Sequence, residues 1–332
     1  SLPGPAVTGR GSPFPRPWTR ATSSPMAPDP PDRRPLILGA SRRTDLVGWY
    51  PARLVQRLRE RVRRMRRYEL YGLVLWTKRP AALLQHAGLA RLADEVGNLV
   101  LQLTITGLGG SRIEPGVPPT ADILRLLPAL VAGPLRGQPA RLRWRCDPVW
   151  PRVDLLDDFQ RIADACARVG ATSCTLSFPT RFCQLGPMAD CYRRHGLPVP
   201  GVAERRELLA RLHEAARPRG LRLLVCAQPE TLALLPPGVL EPAQCVPREV
   251  LEGLHPAGRR FPAADHDRSQ RQACTCLPSE DLGSYEADPC GSGCLYCYSR
   301  AGGEAGRRRW EARPGDYSSG KAAETGSGEV ET

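Results

Sequence analysis

The sequence predicts an α/β protein built as a parallel β/α barrel, either closed or incomplete. Short apolar runs alternate with amphipathic segments between residues 36 and 255. The order strand, loop, helix recurs at least six times, which is the pattern of a parallel sheet covered by helices. Polar side chains follow the strands at their C-terminal ends, where barrels place their chemistry. A doubly wound open sheet is the alternative.

Short apolar runs predict six buried strands. They cover residues 36–40, 70–76, 99–105, 141–145, 173–177 and 221–227. Helical periodicity predicts helices between them, over 51–67, 80–95, 120–132, 155–169 and 202–216. Residues 36–300 are therefore predicted to form one barrel domain with a cysteine-rich cluster loop over 274–298.

The two ends of the chain differ from this pattern. Residues 1–35 are rich in Pro, Ser and Arg and lack the apolar centre of a secretory signal, which predicts a disordered leader. Residues 301–332 are rich in Gly, Glu and Ser, which predicts a disordered tail. No apolar run approaches the roughly 20 residues of a membrane span, so no membrane partner is expected.

The net charge of +13 comes almost entirely from arginine. The densest arginine run, residues 53–70, also carries an apolar face. That face consists of Leu54, Leu58, Val62 and Met65. This periodicity favours an amphipathic helix packed on a core. Nucleic-acid binding through phosphate neutralisation is the alternative.

Three cysteines fall within eight residues near the end of the chain, in "DPCGSGCLYCYSR". Cys290, Cys294 and Cys297 have the spacing Cys-x3-Cys-x2-Cys. Thiolates favour iron–sulfur clusters, zinc or Cu(I), and structural zinc usually recruits two Cys-x2-Cys pairs or adds histidines. The segment has neither, so the spacing favours a four-iron cluster with one iron left open, and zinc is the alternative.

The other cysteines divide into two groups. Four can form a second site for a second cluster or a zinc ion. They are Cys226, Cys245, Cys274 and Cys276. Alternatively, Cys274 or Cys276 closes the first cluster as its fourth ligand, or all four are ordinary core residues. The remainder have no ligand-like spacing and are predicted to be structural: Cys146, Cys166, Cys174, Cys183 and Cys191.

Twelve cysteines without an export signal also indicate a reducing compartment, and the cytoplasm is the expected location.

The polar residues after the strands predict a pocket at the barrel mouth. Its expected lining is Arg42, Arg43, Asp45, Lys78, Thr104, Thr106, Arg145, Asp147 and Glu230. Asp45, Asp147, Glu230 and Lys78 are the catalytic candidates, although each carboxylate can equally be the salt-bridge partner of an arginine. The paired Arg42 and Arg43 suit an anionic partner such as a carboxylate or phosphate.

The cysteine spacing, with Tyr296 directly before the last cysteine, resembles the signature of the radical S-adenosylmethionine (SAM) superfamily. The stretch "CLYCY" is particularly similar to the spore photoproduct lyase branch. The resemblance implies a [4Fe–4S] cluster whose unique iron binds SAM, reductive cleavage to a 5′-deoxyadenosyl radical, and an electron donor as partner.

The resemblance has two consequences for the rest of the chain. The glycine-rich turn at Gly109 would offer a backbone cradle to the methionine moiety, although an ordinary tight turn explains it equally. In the superfamily the cluster loop follows the first barrel strand, whereas here it follows the last predicted one. A circularly permuted barrel is therefore implied.

Residues 36–299 also resemble a bacterial family known only as domain of unknown function 1848. The matching stretches are "ASRRTD", "WTK", "LTITG", "IEPGVP", "RWRCDP", "QRQACTC", "DLGSY" and "CGSGCLYCY". This resemblance implies membership but no activity.

The expected function is a radical SAM-like enzyme acting on an anionic small molecule or a nucleic acid. The alternatives are a nucleic-acid-binding protein with a structural metal, and an iron–sulfur redox or sensor protein that does not use SAM. The motifs of P-loop nucleotide-triphosphatases, zinc peptidases and serine hydrolases are absent from the sequence.

Overall fold

Among the residues that the structure describes, eight parallel strands form one sheet that follows the barrel order. The strands are β1 (Arg34–Ala40), β2 (Tyr68–Thr77), β3 (Leu99–Thr104), β4 (Leu142–Cys146), β5 (Ser173–Leu176), β6 (Arg222–Val225), β7 (Glu241–Pro242) and β8 (Glu280–Asp281). Their order in the sheet is β7-β6-β5-β4-β3-β2-β1-β8. Seven strands lie in chain order without the reversal of a doubly wound sheet, which confirms the predicted β/α barrel class.

The structure is a computed structural model that describes residues 33–42, 44–65, 67–179, 186–262, 272–284 and 287–297. Most of the predicted leader, the predicted tail, Arg43 and Cys183 lie outside the described residues.

The last strand lies next to the first. β8 pairs in parallel with β1, with Leu38 opposite Glu280 and Gly39 opposite Asp281. No pairing between β7 and β8 occurs within the described ranges, so the sheet has the order of an eight-stranded barrel that is open at this position. The incomplete form of the predicted barrel is the one observed.

Ten helices are described, and most lie between consecutive strands. They are α1 (Leu46–Trp49), α2 (Pro51–Arg63), α3 (Ala81–Gln85), α4 (Ala87–Val96), α5 (Thr120–Ala132), α6 (Leu155–Arg168), α7 (Gly186–His195), α8 (Val202–Ala216), α9 (Pro229–Leu232) and α10 (Arg248–Gly253). None of them has both the length and the apolar composition needed to cross a bilayer.

The predicted helix over 80–95 is two helices in the structure. The chain bends at His86, whose imidazole accepts a hydrogen bond from the Leu89 amide at 3.3 Å and so caps α4. Histidine is not among the residues usually sought at helix starts, so the break was not predicted from the sequence.

The sheet is buried on both faces, as expected for parallel strands. Leu73 and Leu75 of β2 pack toward the helices, whereas Val74 between them packs with the segment that follows β7. That segment includes α10 and Phe261. It covers the face of the sheet opposite the outer helices, and it carries Cys245 into this second core.

The arginine-rich helix α2 uses its two faces differently. Leu54 and Leu58 are buried in the core, as predicted, whereas Val62 is 40% exposed. Arg53 and Arg57 both bind Asp288, and Arg61 binds Glu280 of β8 through two nitrogens at 2.6 and 2.7 Å. Three of the arginines in the run therefore hold the C-terminal segment against α2.

Candidate metal centre at the mouth of the sheet

The loop after β8, here called the cysteine loop (residues 287–297), is fixed to the first two helices. Thr44 Oγ1 donates to the Asp288 carbonyl at 2.6 Å, and the Tyr50 hydroxyl donates to the Pro289 carbonyl at 2.7 Å. The Trp49 indole donates to Ser292 Oγ at 3.0 Å. These contacts bring the three cysteines to the carboxyl ends of β1 and β2.

A second side of the cysteine loop rests on the connection after β3. The Gly116 amide donates to the Ser292 carbonyl at 2.9 Å, and the Leu295 amide donates to the Ile113 carbonyl at 3.0 Å. A Cβ atom at Gly116 would lie 2.6 Å from the Gly291 carbonyl oxygen, and one at Gly291 would lie 2.8 Å from the Trp49 ring. Both glycines are required because the backbones approach closely.

Of the three cysteines in this loop, Cys294 is buried and the other two are half-buried. Cys294 is 6% exposed, and the Cys297 amide donates to the Cys294 carbonyl at 3.0 Å. Burial raises the pKa of Cys290, and it raises that of Cys294 well above the usual value. Charges on Cys290 and Cys297 would raise the pKa of Cys294 further.

As the side chains stand, no group of three or more His, Cys, Asp or Glu residues in the described part of the chain is arranged to hold a metal ion. What the cysteine loop provides is a set of soft donors on one short segment. Such donors suit an iron–sulfur cluster or zinc by type.

Lys78 meets two residues beside the cysteines. Its Nζ lies 2.8 Å from Glu114 Oε1 and 2.7 Å from the Tyr296 hydroxyl, and Tyr296 also donates to Glu114. Burial opposes the charge of Lys78, but Glu114, Cys294 and Asp147 outweigh it, so the pKa of Lys78 lies above its usual value. Lys78 and Glu114 therefore form an ion pair, and the Tyr296 hydroxyl is hydrogen-bonded to both of them.

Glu114 was missed by the sequence analysis. Its stretch "IEPGVP" contributed to the family resemblance, yet the residue lies inside a loop rather than after a strand. Its side chain is only 1% exposed, and this burial could not be inferred from its position in the sequence.

The Asp45 carboxylate accepts hydrogen bonds from two backbone amides and one hydroxyl group. Its carboxylate accepts from the Gly48 amide at 2.8 Å, the Lys78 amide at 2.9 Å, and Thr77 Oγ1 at 2.9 and 3.0 Å. Burial raises its pKa, and these bonds act in the opposite direction. The arrangement makes Asp45 the cap of α1 and a link to β2.

Arg145 near the end of β4 lies together with Asp147, which directly follows the strand. Asp147 binds Arg145 and accepts from Ser177 Oγ at 2.6 Å, and the guanidinium of Arg145 also donates to Cys245 Sγ at 2.8 Å. Asp147 thus has an arginine partner, the alternative that the sequence had left open for each carboxylate.

The remaining predicted pocket residues are placed differently. Arg42 donates to Ser279 Oγ at 2.8 Å and lies over the Trp76 ring. Thr104 and Thr106 are buried, and Thr106 Oγ1 accepts from the Leu108 amide at 3.2 Å within the turn. Glu230 is exposed on α9 and has no contact with the other predicted site residues among those described.

Gly109 is explained by the turn itself. A Cβ atom there would overlap the Pro118 carbonyl oxygen, and Gly109 bridges to Glu114. The tight-turn interpretation therefore accounts for this glycine.

The other four candidate ligands meet away from the cysteine loop. The Cys226 and Cys245 sulfurs are 3.7 Å apart, the Cys245 amide donates to Cys276 Sγ at 3.0 Å, and Cys274 packs against the core that contains Cys276. The Cys226 and Cys276 thiols, with Arg145, hold the pKa of Cys245 well below its usual value. A hydrogen bond from Cys276 lowers the pKa of Cys274 to about 6. This grouping separates Cys274 and Cys276 from the first site.

Comparison with solved structures finds the carboxyl transferase domain of Rhizobium etli pyruvate carboxylase with 3-hydroxypyruvate. The sequences are 13% identical, the match covers 61% of this chain and 38% of that chain, and the TM-score is 0.28. Comparison with curated proteins finds no match. A family model matches residues 37–299, so the chain belongs to the family described as Domain of unknown function (DUF1848).

Proposed function

We propose that this chain is an iron–sulfur protein, with Cys290, Cys294 and Cys297 holding a [4Fe–4S] cluster, and that it acts as a radical SAM-like enzyme. The observation that carries the proposal is the seating of three thiols, one buried and two half-buried, on one fixed loop at the mouth of the sheet. Cys276 Sγ accepts from the Cys245 amide instead, and Cys274 packs against the core that contains Cys276, so the two cysteines first considered as a fourth ligand are engaged elsewhere.

The residues around the loop fit such a cluster in chemistry. All three donors are thiols, and Lys78 lies close enough to Cys294 to oppose its rise in pKa. Gly116 and Gly291 let the surrounding backbones close on the loop without intervening side chains. A cluster on three cysteines carries negative charge, so a nearby ammonium group would favour binding.

The strand order supports the SAM part of the proposal. Read from its edge, the sheet runs β8-β1-β2-β3-β4-β5-β6-β7, and the cysteine loop follows the edge strand β8. The loop thus has the relation to its sheet that radical SAM cluster loops have to theirs. A circular permutation of the radical SAM order along the chain would keep this neighbourhood.

When bound, a cluster of this class with SAM supplies a radical that removes hydrogen from a substrate. The chain's own residues would form the wall of the reaction space. Glu114 and Tyr296 hold the ammonium group of Lys78 in place. Ser177 and Arg145 orient the carboxylate of Asp147, whose side chain is 29% exposed. The positive charge of Lys78 and the negative charge of Asp147 would both be available to bind a polar substrate.

The test is anaerobic reconstitution with iron and sulfide, followed by EPR of the reduced protein with and without SAM. We expect a cubane signal that changes when SAM is added, together with formation of 5′-deoxyadenosine. The Cys191→Ser variant is the matched control, because its thiol lies 3.3 Å from the Leu295 carbonyl without belonging to the motif.

Three outcomes would contradict parts of the proposal. A cluster signal indifferent to SAM in the wild type would point to the redox or sensor alternative, and a response gained only in Cys191→Ser would identify Cys191 as a closing ligand. Zinc without any cluster would overturn the iron–sulfur assignment and favour the nucleic-acid-binding alternative, which predicts binding that weakens steeply with salt.

A further inference from the structure

A second group of cysteines lies on the inner face of the sheet and takes no part in the proposed reaction. Cys226 follows β6 directly, Cys245 follows β7, and Cys274 and Cys276 precede β8. Three separate stretches of chain therefore bring their thiols to one place. This group is called the inner cysteine cluster.

We propose that the inner cysteine cluster, consisting of Cys226, Cys245, Cys274 and Cys276, is a second metal site that binds one zinc ion through four thiolates. The site does not depend on the cysteine loop or on SAM. Its role would be structural, because it ties the segment after β7 to the segment before β8 where the barrel is open.

The sulfur separation supports a single ion. Two thiolates on one tetrahedral zinc, each at about 2.3 Å, lie about 3.8 Å apart. The Cys226 and Cys245 sulfurs are 3.7 Å apart. Cys276 Sγ lies 3.0 Å from the Cys245 amide nitrogen, and Cys274 packs against the core that contains Cys276. The four cysteines form a row rather than a closed shell, so binding would require Cys274 and Cys276 to turn inward.

Donors already point at these sulfurs. The backbone amides of Cys245 and Val246 lie 3.0 and 3.5 Å from Cys276 Sγ, and Arg145 donates to Cys245 Sγ at 2.8 Å. Amide and guanidinium hydrogens of this kind stabilise thiolates and orient them. Ordinary packed thiols do not need such a second layer of contacts.

The surrounding charge also suits a tetrathiolate. Zinc bound by four thiolates has a net charge of about −2. Arg145 contacts the cluster, Arg143 is close enough to Cys245 to interact with its charge, and Arg42 is similarly close to Cys274.

The scaffold holds two of the ligand-bearing stretches in register. Gln102 of β3 donates to the Cys245 carbonyl at 2.8 Å, and the Leu277 amide donates to the Val246 carbonyl at 3.2 Å. Cys245 and Cys276 are therefore placed before any metal binds.

The experiment uses the full chain with Cys290, Cys294 and Cys297 all changed to Ala, so that the cysteine loop binds nothing. Zinc is measured after anaerobic purification, and Co²⁺ is then exchanged in as a visible probe of thiolate ligation. We expect about one zinc per chain and the absorption of tetrahedral cobalt bound to sulfur. Adding Cys274→Ala should weaken zinc binding at least tenfold.

Cys191→Ala is the matched control, because Cys191 and Cys274 are both half-buried. It should leave the zinc content and the cobalt spectrum unchanged. Cys274→Ala alters a half-buried residue, and its folding can be checked by circular dichroism. Three results would overturn the proposal: no zinc in the parent protein, unchanged zinc binding after Cys274→Ala, or iron with acid-labile sulfide at this site.

Discussion

At the residue scale, the ion pair of Lys78 and Glu114 beside Tyr296 is the contact whose loss we expect to destabilise the site. Glu114 is 1% exposed and Lys78 17%, so each charge depends on the other rather than on water. Removing one partner of a buried pair leaves the second charge without compensation, which costs more than the pair itself contributes.

Glu114→Gln should therefore lower the free energy of unfolding by about 3 kcal/mol, since the Lys78 ammonium remains buried. Urea denaturation measures this change. The control is Glu95→Gln, because Glu95 is 59% exposed and meets Arg59 only at 4.0 Å. It should change stability by less than about 0.5 kcal/mol. Equal effects of the two substitutions would show that Lys78 does not depend on Glu114.

At the scale of elements, two glycines allow the cysteine loop to lie against its neighbours. Gly116 faces the backbone of Gly291 and Ser292, and backbone cannot move aside as a flexible side chain can. The loop position is thus set by close backbone contact as well as by hydrogen bonds.

Gly116→Ala should push the cysteine loop outward and cost about 1–3 kcal/mol through overpacking. Hydrogen exchange of residues 287–297 should rise at least tenfold, and iron retained after reconstitution should fall. Gly253→Ala is the control, because a Cβ atom there would meet nothing within 4 Å. Unchanged exchange in Gly116→Ala would mean that the loop tolerates the added methyl group.

Elements with their own periodicity could be predicted from the sequence, and those defined by distant contacts could not. Strands such as 70–76 and helices such as 120–132 carry their own pattern, and the structure places them within a few residues. β7 and β8 have two residues each, too short for any pattern. β8 is recognisable only through its pairing with β1 and the arginine contacts from α2.

The candidate site divides in the same way. The spacing of Cys290, Cys294 and Cys297 is local, so the sequence could identify them as a group. The contact of Cys226 with Cys245 depends on how β6 and β7 pack, and Glu114 is buried by a loop brought in from elsewhere. The hydrogen bonds of Asp45 likewise depend on where β2 ends beside α1.

At the scale of the whole molecule, the main feature is that the C-terminal segment packs against β1 and α2. Asp288 is fully buried between Arg53 and Arg57, and it also accepts from the Ser284 amide at 3.0 Å. Those arginines come from one end of the described chain and Asp288 from the other. This pairing holds the segment that follows β8 against α2.

Asp288→Ala should let β8 and the cysteine loop open as a unit while β2–β5 stay closed. Hydrogen exchange should therefore quicken strongly in 280–297 and little in the central strands. Asp122→Ala is the control, because Asp122 forms only an exposed ion pair with Arg125. Uniform quickening across the whole sheet would contradict a local role for Asp288.

The central claim is that Cys290, Cys294 and Cys297 together hold an iron–sulfur cluster. Its most direct test is the iron and acid-labile sulfide content of the anaerobically reconstituted wild type, Cys294→Ser and Cys191→Ser. We predict about four iron and four sulfide per chain in the wild type and in Cys191→Ser, with most of both lost in Cys294→Ser. Full iron and sulfide in Cys294→Ser, or a wild type that binds zinc alone, would contradict it.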